Sequence, residues 1–450
     1  MFQIIEIFID KNAAHSVGTK GPGHHLLGRV EKLSFQPSMV TLILAVIILV
    51  FLIAILLKEQ RFVAKITFLC PTSGLLIILG MISAFCTHAF EEYYHNNFQP
   101  VLLTANIFQH VLIFPVLLYT SYSLCSQQFL RQVMSVLILS VIGTLLNVLL
   151  SGILLKYIYN TISPSYMDIT HCMVFASLIS VVDPLAVVTV FRGVNEFQCN
   201  FFLPFGAALF GYGVAMELLE AASTLAEFGQ DDPIPMSSFI YLAASIPTDP
   251  ILGIIIGVTC GLVSAAITKI TSTCEGTCGS TCEYFEPLVT LGFALFGYIL
   301  CLNLGLSYIF ATIACGLVQQ RYTFINMSPK SSMSTENIIY ALSLLSELLM
   351  FVLVGYFAVA VGYSAIWDFA VAVIIIIYIV RIFVTLGLSL LINIFRLSTI
   401  NFRWQLLIFG GHRGPMSLAM ALAYTGPFHL LFEETTLLVI VFSVMVDCSS

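Results

Sequence analysis

Residues 169–191 read ITHCMVFASLISVVDPLAVVTVF. The run is apolar on every face and meets the roughly 20 residues a helix needs to cross a bilayer. One acid, Asp183, sits near its middle and is followed directly by Pro184. Proline removes a backbone donor and clashes with the preceding turn, so the helix is expected to break around Val182–Pro184. A break at that depth exposes carbonyls and half-helix ends that can coordinate a cation beside a carboxylate. Asp183, flanked by Val182 and Pro184, is therefore a candidate ion-binding residue. The plainer alternative is a polar kink paired to a neighbouring helix.

The rest of the chain fits a membrane setting. Of 450 residues, 59% are hydrophobic and only 9% charged, against about 25% charged in an ordinary soluble domain. A soluble fold of this size cannot hide so much apolar surface. The balance of 24 acids against 17 bases, net charge -7, leaves no basic arm for nucleic acid. Apolar runs near 38–57, 69–87, 101–123, 132–156, 169–191, 201–222, 236–268, 286–303, 305–319, 335–362, 367–395, 404–425 and 431–447 give about thirteen transmembrane segments. The expectation is an all-α membrane protein in contact with the lipid bilayer. A polar lead-in covers 1–37, the transmembrane domain covers 38–447, and no cytoplasmic tail is expected.

Loop charges set an orientation. Lys58, Arg61, Lys65, Arg131, Arg192, Lys269, Arg321, Lys330, Arg396 and Arg403 fall on one side, which is expected to be cytoplasmic. The opposite loops hold Lys156 together with Glu91, Glu92, Glu227, Asp231, Asp232, Glu433 and Glu434. Cys274, Cys278 and Cys282 share the loop CEGTCGSTC, but three thiols without a nearby histidine fall short of a structural zinc set, and no metal site is expected.

A charge inside the hydrocarbon is costly and marks a functional candidate. A second interrupted helix is expected at FGGHRGPMSLAMAL (409–422), where Gly410, Gly411 and Gly414 surround His412 and Arg413, and Pro415 follows. Arg413 there either neutralises half-helix C-termini where two broken helices cross, or snorkels from a packing helix. Two such interruptions in opposite halves of a chain point to an inverted-repeat transporter core. His412 adds a group whose unperturbed pKa lies near 6.5. Glu347 either lines a cavity or partners Arg381 or Arg413. Arg381 cannot lose its proton and is read as structural. Glu217 and Glu220 lie toward the outer end of their helix and read as solvated rim acids.

On these residues the sequence resembles the sodium/proton exchangers of the cation/proton antiporter superfamily, over residues 100 to 447. FASLISVVDPLAVVTVF (175–191) is similar to the family's FGSLIAAVDPVAVLAVF. HVLIFPVLLYTSYSLCSQQFLRQ (110–132) and SVIGTLLN (140–147) resemble LLPPIVLDAGYFMP and AVVGTLWN. SSMSTENIIYALSLLSELLMFVLVG (331–355), YIVRIFVTLGLSLLINIFR (378–396) and FGGHRGPMSLAMAL resemble SSETIIFMFLG, CRALGVLVLTYLINKFR and YGGLRGAIAFSL, in the family's order.

The resemblance implies an antiporter rather than an enzyme. It implies a homodimer in which two unwound helices cross around Asp183 and around Gly410–Gly414. Electroneutral exchange of Na⁺ (or K⁺) for H⁺ would proceed by alternating access around Asp183 in intracellular pH regulation, with the plasma membrane the expected location. No cofactor is implied, Na⁺ and H⁺ being the transported ions. Ser346 and Glu347 would lie on a core helix, and Arg381 and Arg413 would be structural cations.

One departure stands out. The family's FGESLLNDAVTVVLY aligns with FGAALFGYGVAMELLE (205–220), so that Ala207 replaces a glutamate and Gly211-Tyr212 replaces the Asn-Asp pair that supplies the exchange carboxylate. Tyrosine, with a reference pKa near 10, is neutral at neutral pH and cannot bind Na⁺ as an anion. Glu217 is five residues on, so it points some 140° away and lies about 7.5 Å further along the helix. The competing reading is therefore a transport-deficient paralogue acting as dimer partner or regulator. A third is a cation leak.

Overall fold

A computed structural model describes residues 72–94, 108–124, 127–162, 166–184, 202–228, 236–273, 281–360, 367–395 and 413–447. The lead-in 1–37, the apolar run 38–57, Cys274, Cys278, Gly410, Gly411 and His412 lie outside the described residues, as does the side chain of Cys282.

Regular structure among the described residues is helical. The order is α1 (Thr72–Tyr94), a π-turn (Phe108–Leu112) running into α2 (Ile113–Leu124), α3 (Gln127–Leu137), a second π-turn (Ile138–Ile142), and α4 (Gly143–Ile162). Then follow α5 (Ile169–Ser180), α6 (Phe202–Phe228), α7 (Met236–Thr273), α8 (Thr281–Leu304) and α9 (Tyr308–Val318). A third π-turn (Gln319–Thr323) leads to α10 (Phe324–Asn326), α11 (Pro329–Ala360), α12 (Trp367–Ile394), α13 (Pro415–Ala423) and α14 (His429–Asp447). Among the described residues six helices are long and apolar enough to cross a membrane: Phe129–Ile162, Phe202–Glu227, Leu242–Thr271, Phe285–Leu304, Pro329–Val359 and Trp367–Ile394. Large apolar side chains on their outer faces, such as Ile375, Ile379 and Phe383 one turn apart on α12, are exposed, as a lipid-facing stripe requires.

In lipid, helices associate by close packing rather than by a hydrophobic drive, and small residues at the seams permit it. α7 carries Gly253, Gly257 and Gly261 on one face, each lying against α9 or the turn before it: a Cβ added there would overlap Ser307, Ala311 and Val318 in turn. α1 and α11 meet through Gly80 and Gly355, each seated on the other helix's backbone at Val352 and Ile77. The short break expected between 286–303 and 305–319 falls at residues 305–307, where Gly305 takes a positive φ of 68°. A side chain rarely tolerates that conformation.

Two apolar clusters hold the helices. The larger one runs through α2, α4, α5, α6, α8, α9 and α12, with Phe175, Phe205, Phe369 and Phe432 among its fully buried rings. The smaller joins Leu76 and Ile77 of α1 to Val354 of α11, Leu418 of α13, and Leu437 and Ile440 of α14. Together they fix α6 and α13 against α5 and so place the polar residues described next.

Candidate functional site

α5 starts on Asp168, whose carboxylate accepts from the Ile169 N–H at 2.7 Å, which satisfies one of the helix's free N-terminal donors. It stops at Ser180, and residues 181–183 are not helical. The last carbonyls of a helix have no partner within it. Here Arg413 supplies one: its Nη1 donates to the Ser180 carbonyl at 2.7 Å and to the Val181 carbonyl.

The reverse arrangement holds at α13. Gly414 is its N-cap, in extended conformation, and Pro415 opens the helix. Proline is well suited to that first position because its missing N–H is not needed there. The Asp183 carboxylate lies so close to Gly414 that a Cβ at 414 would overlap it. A helix N-terminus favours negative charge and a C-terminus positive charge. Each half-helix end therefore faces the opposite charge from the other segment. Asp183 and Arg413 are almost wholly buried, at 2% and 5% exposure, and Val182 and Pro184 beside the acid are buried too. Ser443 Oγ of α14 donates to the Arg413 carbonyl at 2.9 Å and Ser417 Oγ to that of Gly414 at 2.8 Å, which pins the second segment.

On α12, Arg381 lies within electrostatic range of Arg413, and Tyr378 lies within range of both. Ser346 is buried and Glu347 half-buried on α11. On α6, Ala207 is half-buried, while Gly211 and Tyr212 are buried. A Cβ at Gly211 would sit 3.6 Å from Thr144 Oγ1. Tyr212 is among the largest fully buried side chains, and its hydroxyl has no hydrogen-bond partner among the described residues. Glu217, on the same helix, interacts with Ser307, Glu220 and Asp249.

A further polar group was not legible in the sequence. Gln109 Nε2 donates to the Tyr308 hydroxyl at 2.9 Å, and His110 Nδ1 is 3.2 Å from the Tyr298 hydroxyl. The two tyrosine rings pack edge to face at 5.1 Å, and Tyr212 lies within electrostatic range of both. These residues are scattered over 200 positions of apolar sequence. The single local signal is the polar Gln109-His110 pair inside the apolar run 101–123.

Comparison with known proteins bears on this arrangement. The family model for the transmembrane part of sodium/hydrogen exchangers matches residues 46–449. The chain is 27% identical over 407 residues to Na(+)/H(+) exchanger beta of Oncorhynchus mykiss, covering 88% of this chain and 51% of that protein. It is 30% identical over 362 residues to Na(+)/H(+) exchanger protein 7 of Caenorhabditis elegans, covering 78% and 44%. The chain thus spans about half the length of the curated relatives it matches. Among solved structures, the sodium proton antiporter MjNhaP1 from Methanocaldococcus jannaschii superposes with a TM-score of 0.66 over 91% of this chain and 97% of that one, at 18% identity. At that identity the likeness concerns the fold alone.

Proposed function

The chain belongs to the sodium/hydrogen exchanger family, and from that premise we propose that it is a secondary active transporter exchanging Na⁺ (or K⁺) for H⁺ by alternating access around Asp183. The observation that carries the proposal is the position of the Asp183 carboxylate, buried at the N-cap of α13 and beside the open end of α5. A carboxylate there takes a cation or a proton, and the non-helical backbone around it offers further oxygens. One carboxylate that holds Na⁺ on one passage and H⁺ on the return moves one positive charge each way, so the cycle is electroneutral. Arg413 has a positioning role, because its hydrogen bonds tie the end of α5 to the start of α13 and keep the acid in place. Arg381, Ser346 and Glu347 support the same core. The working unit is a homodimer, its location is the plasma membrane, and its task is intracellular pH regulation.

The test is recovery from an acid load in cells lacking their own exchangers, with and without external Na⁺, at matched surface expression. The expected result is Na⁺-dependent recovery by the unmodified chain and none by Asp183→Asn. Absence of recovery by the unmodified chain at the cell surface would overturn the proposal and leave the transport-deficient paralogue.

A further inference from the structure

Glu286, near the start of α8, is buried at 1% exposure, and neither of its carboxylate oxygens has a hydrogen-bond partner among the described residues. Burying a carboxylate without a counter-charge is strongly unfavourable, so this acid calls for a cation beside it. Lys269 and Arg321, the bases carried by the elements packed nearby, are exposed and make no hydrogen bond to it.

The packing fixes what Glu286 faces. Gln319, the first residue of the third π-turn, donates from Nε2 to the Thr290 carbonyl of α8 at 2.9 Å, and its Oε1 accepts from the Tyr122 hydroxyl at 2.6 Å. α8 and α9 are joined by the short break at 305–307 and run in opposite directions. Four residues back from Thr290 is Glu286, and four residues on from Gln319 is Thr323. Residues four apart share a helix face, so Glu286 and Thr323 lie at one level of the same seam. Ser264 of α7 approaches from a third side. It shares a face with Gly261, which lies against Val318 directly before the π-turn.

The two hydroxyls are observations independent of the acid. Buried Ser and Thr hydroxyls in a helix commonly bond a carbonyl one turn back, as those of Thr268 and Thr290 do at this seam. Thr323 and Ser264 are fully buried, and neither hydroxyl has any partner. Unpartnered buried oxygens thus come from α7, α8 and the π-turn together, and π-turns occur frequently at functional sites. Carboxylate and neutral oxygens suit a hard cation. With a single negative charge among them, they balance a singly charged ion rather than a divalent one.

We propose that Glu286, Thr323 and Ser264 form an alkali-cation site in the seam of α7, α8 and the third π-turn, separate from Asp183. The choice of Na⁺ as its probe rests on the reading of the chain as a cation exchanger.

The experiment uses the full chain, purified in nanodiscs, and follows thermal unfolding as NaCl replaces N-methyl-D-glucamine chloride at constant ionic strength and pH 8. In the Asp183→Asn background Na⁺ is expected to raise the midpoint still. Glu286→Gln added to that background should remove the rise or increase the half-saturating Na⁺ at least tenfold. Without Na⁺ it should leave the midpoint unchanged or higher, because the amide needs no counter-charge, and this separates ion binding from misfolding. Thr323→Val, which keeps the shape and removes the hydroxyl, should increase the half-saturating Na⁺ severalfold. In the chain with Asp183 intact, Glu286→Gln should remove part of the rise, which keeps the test independent of how well Asp183→Asn folds. A Na⁺ response unchanged by Glu286→Gln in both backgrounds would overturn the site. So would a loss of stability in Glu286→Gln that is equal with and without Na⁺, since the acid would then have a structural partner. In either case acid-load recovery that depends on Asp183 would still stand, so the two readings fail separately.

Discussion

The carboxylate of Asp183 occupies the space in which a side chain at Gly414 would stand. Two residues more than two hundred positions apart thus share one volume, and the contact is what brings the two interrupted segments together. Gly414→Ala tests it directly. The added Cβ would overlap the Asp183 Cβ as well as its carboxylate, so turning the acid's side chain does not relieve the contact. Overpacking of this kind costs about 1–3 kcal/mol. The expected outcome is a folded protein whose Na⁺-dependent recovery falls at least tenfold, read by acid-load recovery beside a thermal unfolding midpoint.

Arg413→Lys and Arg413→Ala separate charge from geometry. The guanidinium donates to two carbonyls at the end of α5, and hydrogen bonds to a charged group are each worth about 1.5–3 kcal/mol. Alanine leaves both carbonyls buried without a donor and should lower stability by about 3 kcal/mol or more. Lysine keeps the charge but not the planar fork, so an intermediate loss is expected. Thermal unfolding and the folded fraction in size exclusion would measure the series. Equal stability of the alanine variant would show that the end of α5 is held by other contacts.

What the sequence made legible follows from how local each signal is. Pro184 after an acid marks the break after Ser180, and the structure places non-helical backbone at residues 181–183. The glycines and Pro415 around Arg413 mark the start of α13 in the same way. The pairing of those two segments rests on a contact between remote residues; two interrupted helices in opposite halves of the chain pointed to it, and the family's motifs implied it. Tyr298 and Tyr308 gave no local pattern, because tyrosine is common in apolar runs, and the Gln109-His110 pair gave no hint of which residues it would meet. Asp249, between Pro247 and Pro250, carries the same acid-and-proline pattern as Asp183, yet α7 runs through it unbroken, so the pattern alone does not fix a break. For Glu217 the expectation of a solvated rim acid captured its helix but not its burial, because burial depends on α7 and α9.

The glycine stripe on α7 gives a prediction about packing alone. Gly257 rests on the Ala311 backbone, where a Cβ would overlap the carbonyl. Backbone cannot step aside as a flexible side chain does, so Gly257→Ile should force α7 and α9 apart. The cost should be about 2 kcal/mol or more, as for other overpacked sites. Gly292 of α8, where a Cβ meets nothing within 4 Å, is the control: Gly292→Ala should leave the unfolding midpoint unchanged or raise it. A Gly257→Ile variant as stable as that control would contradict close contact at this seam.

Tyr212 stands where the resemblance to the sodium/proton exchangers implies an exchange acid. Its hydroxyl is fully buried without a partner among the described residues, and a buried polar group left unsatisfied costs about 1–3 kcal/mol. Tyr212→Phe removes that group and keeps the ring, so it should be as stable as the unmodified chain or more so. It should also recover from an acid load at the same rate, because a neutral tyrosine carries no ion. The double variant Gly211→Asn, Tyr212→Asp restores the family's pair but empties the space of a large ring, at a cost of about 3 kcal/mol or more. The Cβ at 211 has room beside Thr144, so the loss should come from position 212. If the unmodified chain exchanges through Asp183, the double variant should be less stable without being faster. Recovery that appears only in the double variant, at equal surface expression, would mean that this chain keeps the exchanger fold, and would favour the transport-deficient reading.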